Sequence, residues 1–315
     1  MKVVVTGGAG FIGANLCREL KVHPGHEVVV LDDLSTGHRS NLEGVDVELR
    51  VGTVLDEGDV AAACRGADSI VHLAAVPSVP RSLAEPRRSH DVNVTGTLVV
   101  LDAARSAGTH VVIASSSSVY GRNKALPKAE SMLCRPASPY AVSKLAAESY
   151  AMAYRTSFGQ ASVVFRFFNV FGPLQDPDQS YAAVVPAFIL AALQGKPLTI
   201  YGDGEQSRDF TFVDSVVEVL AKAAASRVVS DNPVNLAFGT RVSLNELVVS
   251  LSEVLGRRLD VEYRLPRTGD VRHSQASFVS LRGLFPEIIP VPLHSGLRRT
   301  VEWMIRKAES TEVLA

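Results

Sequence analysis

Tyr140-Ala141-Val142-Ser143-Lys144 sets a phenol and an ammonium four residues apart, one turn along a helix that Pro139 is suited to start. A tyrosine with an ordinary pKa of about 10 is a poor base at neutral pH. A nearby ammonium favours the phenolate, which would bring Tyr140 towards the working range and let it take a proton from a hydroxyl group. The pair alone is met in many helices. The run Ser115-Ser116-Ser117-Ser118-Val119-Tyr120-Gly121 strengthens it, because it follows an apolar stretch at 111–114 and presents hydroxyls at the carboxyl edge of a sheet. A serine there can hydrogen-bond a substrate oxygen and pass its proton towards Tyr140; the plainer reading is a capping turn.

Thr6-Gly7-Gly8-Ala9-Gly10-Phe11-Ile12-Gly13 follows three valines and opens a helical pattern. Gly7 permits a tight turn, Gly10 lets the backbone approach a pyrophosphate, and Gly13 lets the helix pack on the sheet. The anion then rests on the free N–H groups of the helix start. The second strand ends in Leu31-Asp32, 19 residues beyond Gly13, where a carboxylate accepts hydrogen bonds from an adenosine ribose and repels a 2′-phosphate. NAD rather than NADP is therefore the expected cofactor, and its positive nicotinamide would also favour the Tyr140 phenolate.

Positioning these groups takes a layered fold. Strand-like runs at 3–5, 28–31, 45–51, 69–73, 111–114 and 162–165 alternate with helix-like stretches after Gly10, after Asp56, at 91–106 and at 139–158. Continuous apolar strands separated by helices predict an α/β doubly wound parallel sheet, which binds ligands beyond the carboxyl ends of its strands. After Arg166 the pattern turns irregular, with helical stretches at 243–255 and 294–307. A Rossmann domain over 1–167, joined again by a segment near 210–238, and a smaller α/β substrate-binding domain over 168–315 are expected. The 32 Lys and Arg residues against 33 Asp and Glu give a formal charge of −1, so nucleic acid and anionic membranes are poor partners. Cys17, Cys64 and Cys134 have no C-x-x-C spacing, and no His pairing suggests a metal. Glycine interrupts the first residues before a signal-peptide core could form and no apolar run could span a membrane, so a cytoplasmic place is expected.

In its ordered motifs the sequence resembles the extended short-chain dehydrogenase/reductase family, and within it the nucleotide-sugar 4-epimerases of UDP-hexoses and UDP-N-acetylhexosamines. The resemblance rests on the glycine loop, His72-Leu73-Ala74-Ala75, Asn93, the serine run, Tyr140 and Lys144, Phe168-Asn169-Val170-Phe171-Gly172-Pro173, Gly202-Asp203-Gly204 and Arg208-Asp209-Phe210. It implies a catalytic Ser116, Tyr140 as base, and Lys144 on the nicotinamide ribose. It further implies an NAD site of Gly7, Gly10, Phe11, Ile12, Gly13, Asp32, Val54, Leu73, Ala74, Ala75 and Asn93, beside Tyr140 and Lys144. The UDP-sugar site would use Ser78, Ser116, Ser117, Tyr140, Asn169, Ala183, Val184, Leu198, Tyr201, Arg208, Arg272 and Ser274. His72 lies on the cofactor side and is given no chemistry.

In relatives the two arginines clamp the nucleotide diphosphate, a task suited to the guanidinium fork. Leu198-Thr199-Ile200-Tyr201 resembles the segment packed on uracil, and Asn169 the residue bonding the diphosphate or sugar. Related 4,6-dehydratases carry Asp then Glu after the catalytic Thr; here Ser117 and Ser118 replace them, which argues against dehydration. Thr53 stands where many relatives have an Asp against the adenine. Val79-Pro80-Arg81-Ser82, Gln175-Asp176-Pro177, Tyr181-Ala182-Ala183-Val184 and Ser274 resemble epimerases that accept N-acetylhexosamines. At the Ser274 position a bulky Tyr restricts relatives to glucose and galactose, so a small residue leaves room for a 2-acetamido group. A UDP-glucuronate 4-epimerase or decarboxylase, or another nucleotide-sugar epimerase or dehydratase, is the alternative, but Asp176 would repel a uronate where such enzymes tend to present an Arg. Family members are usually dimers through two long helices, so a homodimer is expected.

Overall fold

The computed structural model describes residues 1–177, 183–266 and 272–312. Valines that could not face water on either side build the first strands. Val3, Val4 and Val5 are fully buried in β1 (Lys2–Thr6), as are Val29 and Val30 in β2 (Glu27–Asp32). β3 (Glu48–Val51), β4 (Ser69–His72), β5 (His110–Ser116) and β6 (Ser162–Phe167) follow. The intervening helices are α1 (Phe11–Val22), α2 (Glu57–Cys64), α3 (Val79–Ala84), α4 (Pro86–His90), α5 (Gly96–Ala107) and α6 (Pro139–Phe158).

The later chain runs through β7 (Val170–Phe171), α7 (Val184–Leu193), β8 (Leu198–Tyr201), β9 (Ser207–Arg208), β10 (Thr211–Phe212) and α8 (Val213–Ala225). It continues through β11 (Val234–Leu236), β12 (Val242–Ser243), α9 (Leu244–Leu255), β13 (Val261–Arg264), α10 (Val279–Leu284) and α11 (Leu293–Glu312).

Seven strands form one sheet in the order β11-β6-β5-β4-β1-β2-β3, and all its pairings are parallel. The order reverses between β1 and β4, so the crevice at their carboxyl ends is the switch point where such sheets bind ligands. α1 and α8 cover one face of the sheet, and α2, α5 and part of α6 cover the other. The remaining short strands pair as β10-β7, β12-β9 and β13-β8.

Two elements differ from expectation. The third strand starts at Glu48 rather than at residue 45, because the Val45 N–H turns back to Leu42 O (3.1 Å) and the Val47 N–H to Val45 O (3.0 Å). The helix expected at 91–106 begins as a π-helical turn, Asp91–Thr95, before narrowing into α5. α6 has clean ends. Ser138 Oγ accepts the Ala141 N–H at 3.2 Å, Pro139 occupies the first turn, and Gly159 closes the helix in the left-handed region at φ +67°. These caps fix the rotation of the helix that carries Tyr140 and Lys144.

The loop between β1 and α1 is packed to contact. Gly7 takes φ +71°, and a Cβ on Gly13 would lie 2.2 Å from Gly7 O and 2.6 Å from Gly8 Cα. Gly13→Ala must lift α1 from the sheet, at a cost of about 1–3 kcal/mol for overpacking. The expected outcome is a lower urea midpoint with an unchanged m value; an unshifted midpoint would contradict this packing.

Candidate active site

A cleft of about 480 Å³ opens over the carboxyl ends of β1, β2, β4 and β5. Its floor is Gly7, Gly10, Phe11, Ile12 and Gly13, and its walls bring together Asp32, Val54, Leu73, Ala74, Ala75, Ser116, Tyr140 and Lys144. The turn after β2 adds Asp33, Ser35 and Thr36, while Arg81, Glu85 and Arg88 close the rim from α3 and α4. No motif marked Glu85 and Arg88, although Asp33-Leu34-Ser35-Thr36 directly after a strand end was a readable turn signal.

Asp32 is 7% exposed, and its carboxylate accepts the Ala9 N–H at 2.9 Å and the Leu34 N–H at 2.8 Å. Burial raises its pKa and these two bonds oppose the rise. Each carboxylate oxygen keeps acceptor capacity for a hydroxyl from the cleft. Thr53 lines the same wall, where its N–H donates to Asp59 Oδ2 at 2.9 Å and its Oγ1 accepts from Leu55 N at 3.2 Å. Asn93 is a correction: it is 1% exposed and does not line the cleft. Its Oδ1 accepts the Val76 N–H at 2.7 Å and its Nδ2 donates to Ser143 Oγ at 2.9 Å, tying the loop after β4 to α6 beside Lys144.

Ser116 ends β5. Its Oγ accepts from Ser118 Oγ at 2.9 Å and from Ser118 N at 3.2 Å, which leaves its own proton to hydrogen-bond Tyr140. The expected lowering of the Tyr140 pKa is not seen in this structure. Burial raises it, and the bond from Ser116 works the other way. The Lys144 ammonium is instead held by Ala114 O at 3.0 Å, and burial pushes it down to about 8. His72 is enclosed between Thr6 Oγ1 (2.7 Å) and Thr97 Oγ1 (3.0 Å), and burial drives it down to about 3. It is a neutral bracket between β1, β4 and α5.

A second, more open cavity of about 1110 Å³ lies between Tyr201, Gly202, Asp203 and Gln206 on one side and Tyr263, Arg264, Leu265, Pro266 and Arg272 on the other. β8 and β13 pair in parallel and supply both rims, a neighbourhood that no motif announced. Arg272 donates to Asp203 Oδ2 at 2.7 Å, and Arg208 Nη1 donates to Ser207 O at 3.0 Å and to the backbone oxygen of Arg272 at 3.3 Å. Arg208 thus reaches the backbone of Arg272, but of the two expected arginines only Arg272 lines the cavity. Behind them Asp209, fully buried and pushed up to about 6 by burial, accepts from Ala276 N at 2.9 Å and Thr240 Oγ1 at 2.8 Å.

Several expected sugar-nucleotide residues lie elsewhere. Leu198 has 0% exposure and belongs to the core, because β8 alternates and only Tyr201 faces the cavity. Ser78 caps α3 by accepting the Arg81 N–H at 3.3 Å, and Ser117 begins a 3-10 turn; neither lines a described cavity. Asn169, at φ +32°, donates to Asp209 O at 3.2 Å. Ala183 is the exposed residue before α7, and Val184 packs against the core. Ser274 donates its N–H to Ser207 O at 3.0 Å, next to Arg208. Tyr181 and Ala182 lie outside the described residues. Among the described residues no three His, Cys, Asp or Glu side chains cluster as a metal site, and no helix is long and apolar enough to cross a membrane.

The chain is 36% identical over 316 residues to the UDP-glucose 4-epimerase of Mycolicibacterium smegmatis, spanning 98% of this chain and 100% of that one. Its structure is similar to that of a UDP-N-acetylglucosamine 4-epimerase from Methanobrevibacter ruminantium in complex with UDP-N-acetylmuramic acid, with a TM-score of 0.91, 37% identity and coverage of 97% and 98%. It is also similar to a UDP-glucuronic acid 4-epimerase variant from Bacillus cereus in complex with UDP-4-deoxy-4-fluoro-glucuronic acid and NAD, with a TM-score of 0.88, 28% identity and coverage of 98% and 100%. The model of one family matches residues 3–237, more than half of the protein and every strand of the central sheet. The chain belongs to the NAD dependent epimerase/dehydratase family.

Proposed function

We propose that the protein is a UDP-sugar 4-epimerase acting on UDP-glucose and UDP-galactose and also on their N-acetylhexosamine counterparts. The observation that carries this reading is the joining of Ser116, Tyr140 and Lys144 on one wall of the glycine-loop cleft, with no carboxylate from the serine run. Ser118 is bonded to Ser116 and Ser117 does not line the cleft, so the acid and base that dehydration needs are missing there.

The cleft suits NAD. A Cβ on Gly7 would meet Ala74 N at 2.7 Å, so the loops after β1 and β4 pack directly on each other and both line the cleft, and Asp32 offers acceptors for a ribose. When bound, NAD supplies hydride acceptance from C4 and hydride return. Tyr140 Oη takes the 4-hydroxyl proton, steadied by Ser116, and later gives it back. Lys144, anchored on Ala114 O, brings positive charge to the Tyr140 side of the cleft. Arg208 and Arg272 hold the diphosphate while the freed sugar turns its other face, so C4 inverts with no net redox change. In this reading residues 1–167, with the returning segment near 210–238 that carries α8 and β11, hold the cofactor, and residues 168–315 chiefly hold the UDP-sugar. Exposed Val142, Tyr150 and Phe158 on α6 support a homodimer, and three unpaired cysteines suit a reducing cytoplasm.

Tyr140→Phe is expected to keep the fold and lose about 10³-fold or more in turnover, followed by NMR with UDP-glucose, UDP-N-acetylglucosamine and UDP-glucuronate offered separately. Inversion of none of these by the wild type would overturn the substrate reading. Ser274→Tyr is expected to lose the N-acetylhexosamine and keep the hexose; equal loss of both would remove Ser274 from the specificity argument.

Lys144 also makes a stability prediction. Folding lowers its pKa from 10.5 to about 8, so the unfolded chain binds that proton more tightly. The lysine therefore costs stability at pH 7, and the cost fades as pH rises from about 8 to 10.5. The burial cost of about 3 kcal/mol is partly offset by the bond to Ala114 O, so Lys144→Met should gain about 1–2 kcal/mol in urea unfolding at pH 7 and lose about 1 kcal/mol near pH 10.5, where only the missing bond remains. A loss of stability at pH 7 would contradict this balance.

A further inference from the structure

Glu148 stands one turn beyond Lys144 and two beyond Tyr140 on α6, with its side chain only 6% exposed. Its Oε2 accepts from Ser115 Oγ at 2.8 Å and from Arg166 Nε at 3.0 Å, and its Oε1 from Arg166 Nη2 at 2.5 Å. Arg166, 3% exposed, lies on β6 directly opposite Ser115 in the parallel register. Its Nη1 donates to the Tyr120 hydroxyl at 2.8 Å, and that hydroxyl donates to Asn235 Oδ1 at 2.6 Å on β11. Asn235 Nδ2 in turn donates to Lys128 O at 2.8 Å and Ser277 O at 3.1 Å. The buried polar path thus crosses β5, β6, β11 and α6.

Two apolar side chains of similar volume could fill this space without taking charges out of water. An ion pair adds direction: the carboxylate fixes the Ser115 hydroxyl, and Ser116 is the next residue on the same strand end. Ser116 in turn supplies the hydrogen bond at Tyr140. We propose that Glu148, oriented by Arg166, is a positioning residue that acts through Ser115 to hold Ser116 in hydrogen-bonding geometry with Tyr140. Glu148 touches neither cavity, and its effect on the reaction passes through the end of β5.

The assay by turnover rests on the 4-epimerase reading; a direct titration of Tyr140 does not. The titratable groups around Tyr140 in the cleft are Lys144 on its own helix, Arg81, Glu85 and Arg88 on α3 and α4, and Asp32 and Asp33 at the end of β2. Those around Glu148 are Arg166, Tyr120, Glu130 and Cys134. Removing the Glu148 charge alone leaves Arg166 unpaired, and that added positive charge would lower the Tyr140 pKa, whereas loss of the Ser116 bond raises it, so a rise at Tyr140 reports on Ser116.

Glu148→Gln keeps the size but leaves one oxygen for the Arg166 and Ser115 donors, so Ser115 loses its fixed acceptor, and the double variant E148M/R166M removes that acceptor together with the arginine charge should the single variant fail to fold. In folded protein, kcat is expected to fall about tenfold or more with KM for UDP-glucose nearly unchanged. The acidic limb of the kcat profile should rise by roughly half a pH unit as Tyr140 loses the bond that pulls its pKa down. The same rise should appear in an absorbance titration of tyrosinate, with Tyr140→Phe as the blank. In a Ser116→Ala background, Glu148→Gln should add no further shift. An unchanged tyrosinate titration in folded variants, or a full additional shift without Ser116, overturns the proposal. Failure of the wild type to invert any UDP-sugar would sink the functional reading while leaving the titration to decide this one.

Discussion

Polar groups at the carboxyl ends of buried strands must be taken out of water and still be partnered, and the architecture of this protein follows from meeting that demand. Thr6 and Thr97 enclose His72, the Ala9 and Leu34 amides saturate one side of Asp32, and Glu148 gathers Ser115 and Arg166. His72 and Glu148 are spent inward, while Asp32 keeps acceptors towards the cleft. Beside β5 the side chains that face the cleft are then a short set, Ser116, Tyr140 and Lys144.

Motifs whose meaning depends on backbone were the readable part. The glycine loop, the acid at the end of β2 and the Tyr140/Lys144 spacing all lie where a parallel sheet and a capped helix put them. Side-chain direction was less readable. Leu198 looked like a ring-packing residue, yet strand alternation turns it into the core and leaves Tyr201 outside. Asn93 was placed against the cofactor, but the π-helical turn that carries it aims its amide at Val76 and Ser143. Burial raises the Tyr140 pKa where the ammonium four residues away is expected to lower it, because local spacing names the ammonium but not the depth of burial or the Ala114 carbonyl that holds it.

Near-neutral overall charge hides strong local organisation. Arg272 lines one cavity, with Arg208 bonded to its backbone, while Asp32 and Asp33 mark the far end of the other. The two regions are joined by backbone: Asn15 on α1 donates to Pro173 O at 3.0 Å, and β11 comes back to pair with β6 after the chain has passed through β7 to β10.

The two margins of the sheet also govern how the protein behaves among its own copies. A sheet this rich in Val and Ile would be a template for further strands if its borders were long and apolar. β3 is four residues long and sets Glu48 beside Arg50, paired at 2.7 Å, so an incoming strand meets charge. At the other margin β11 is three residues long, and the Asn235 N–H is already taken by Glu130 Oε1 at 3.0 Å. A strand added at one border would have to desolvate an ion pair, and at the other it would have to displace a side chain that already takes the place of the missing neighbour.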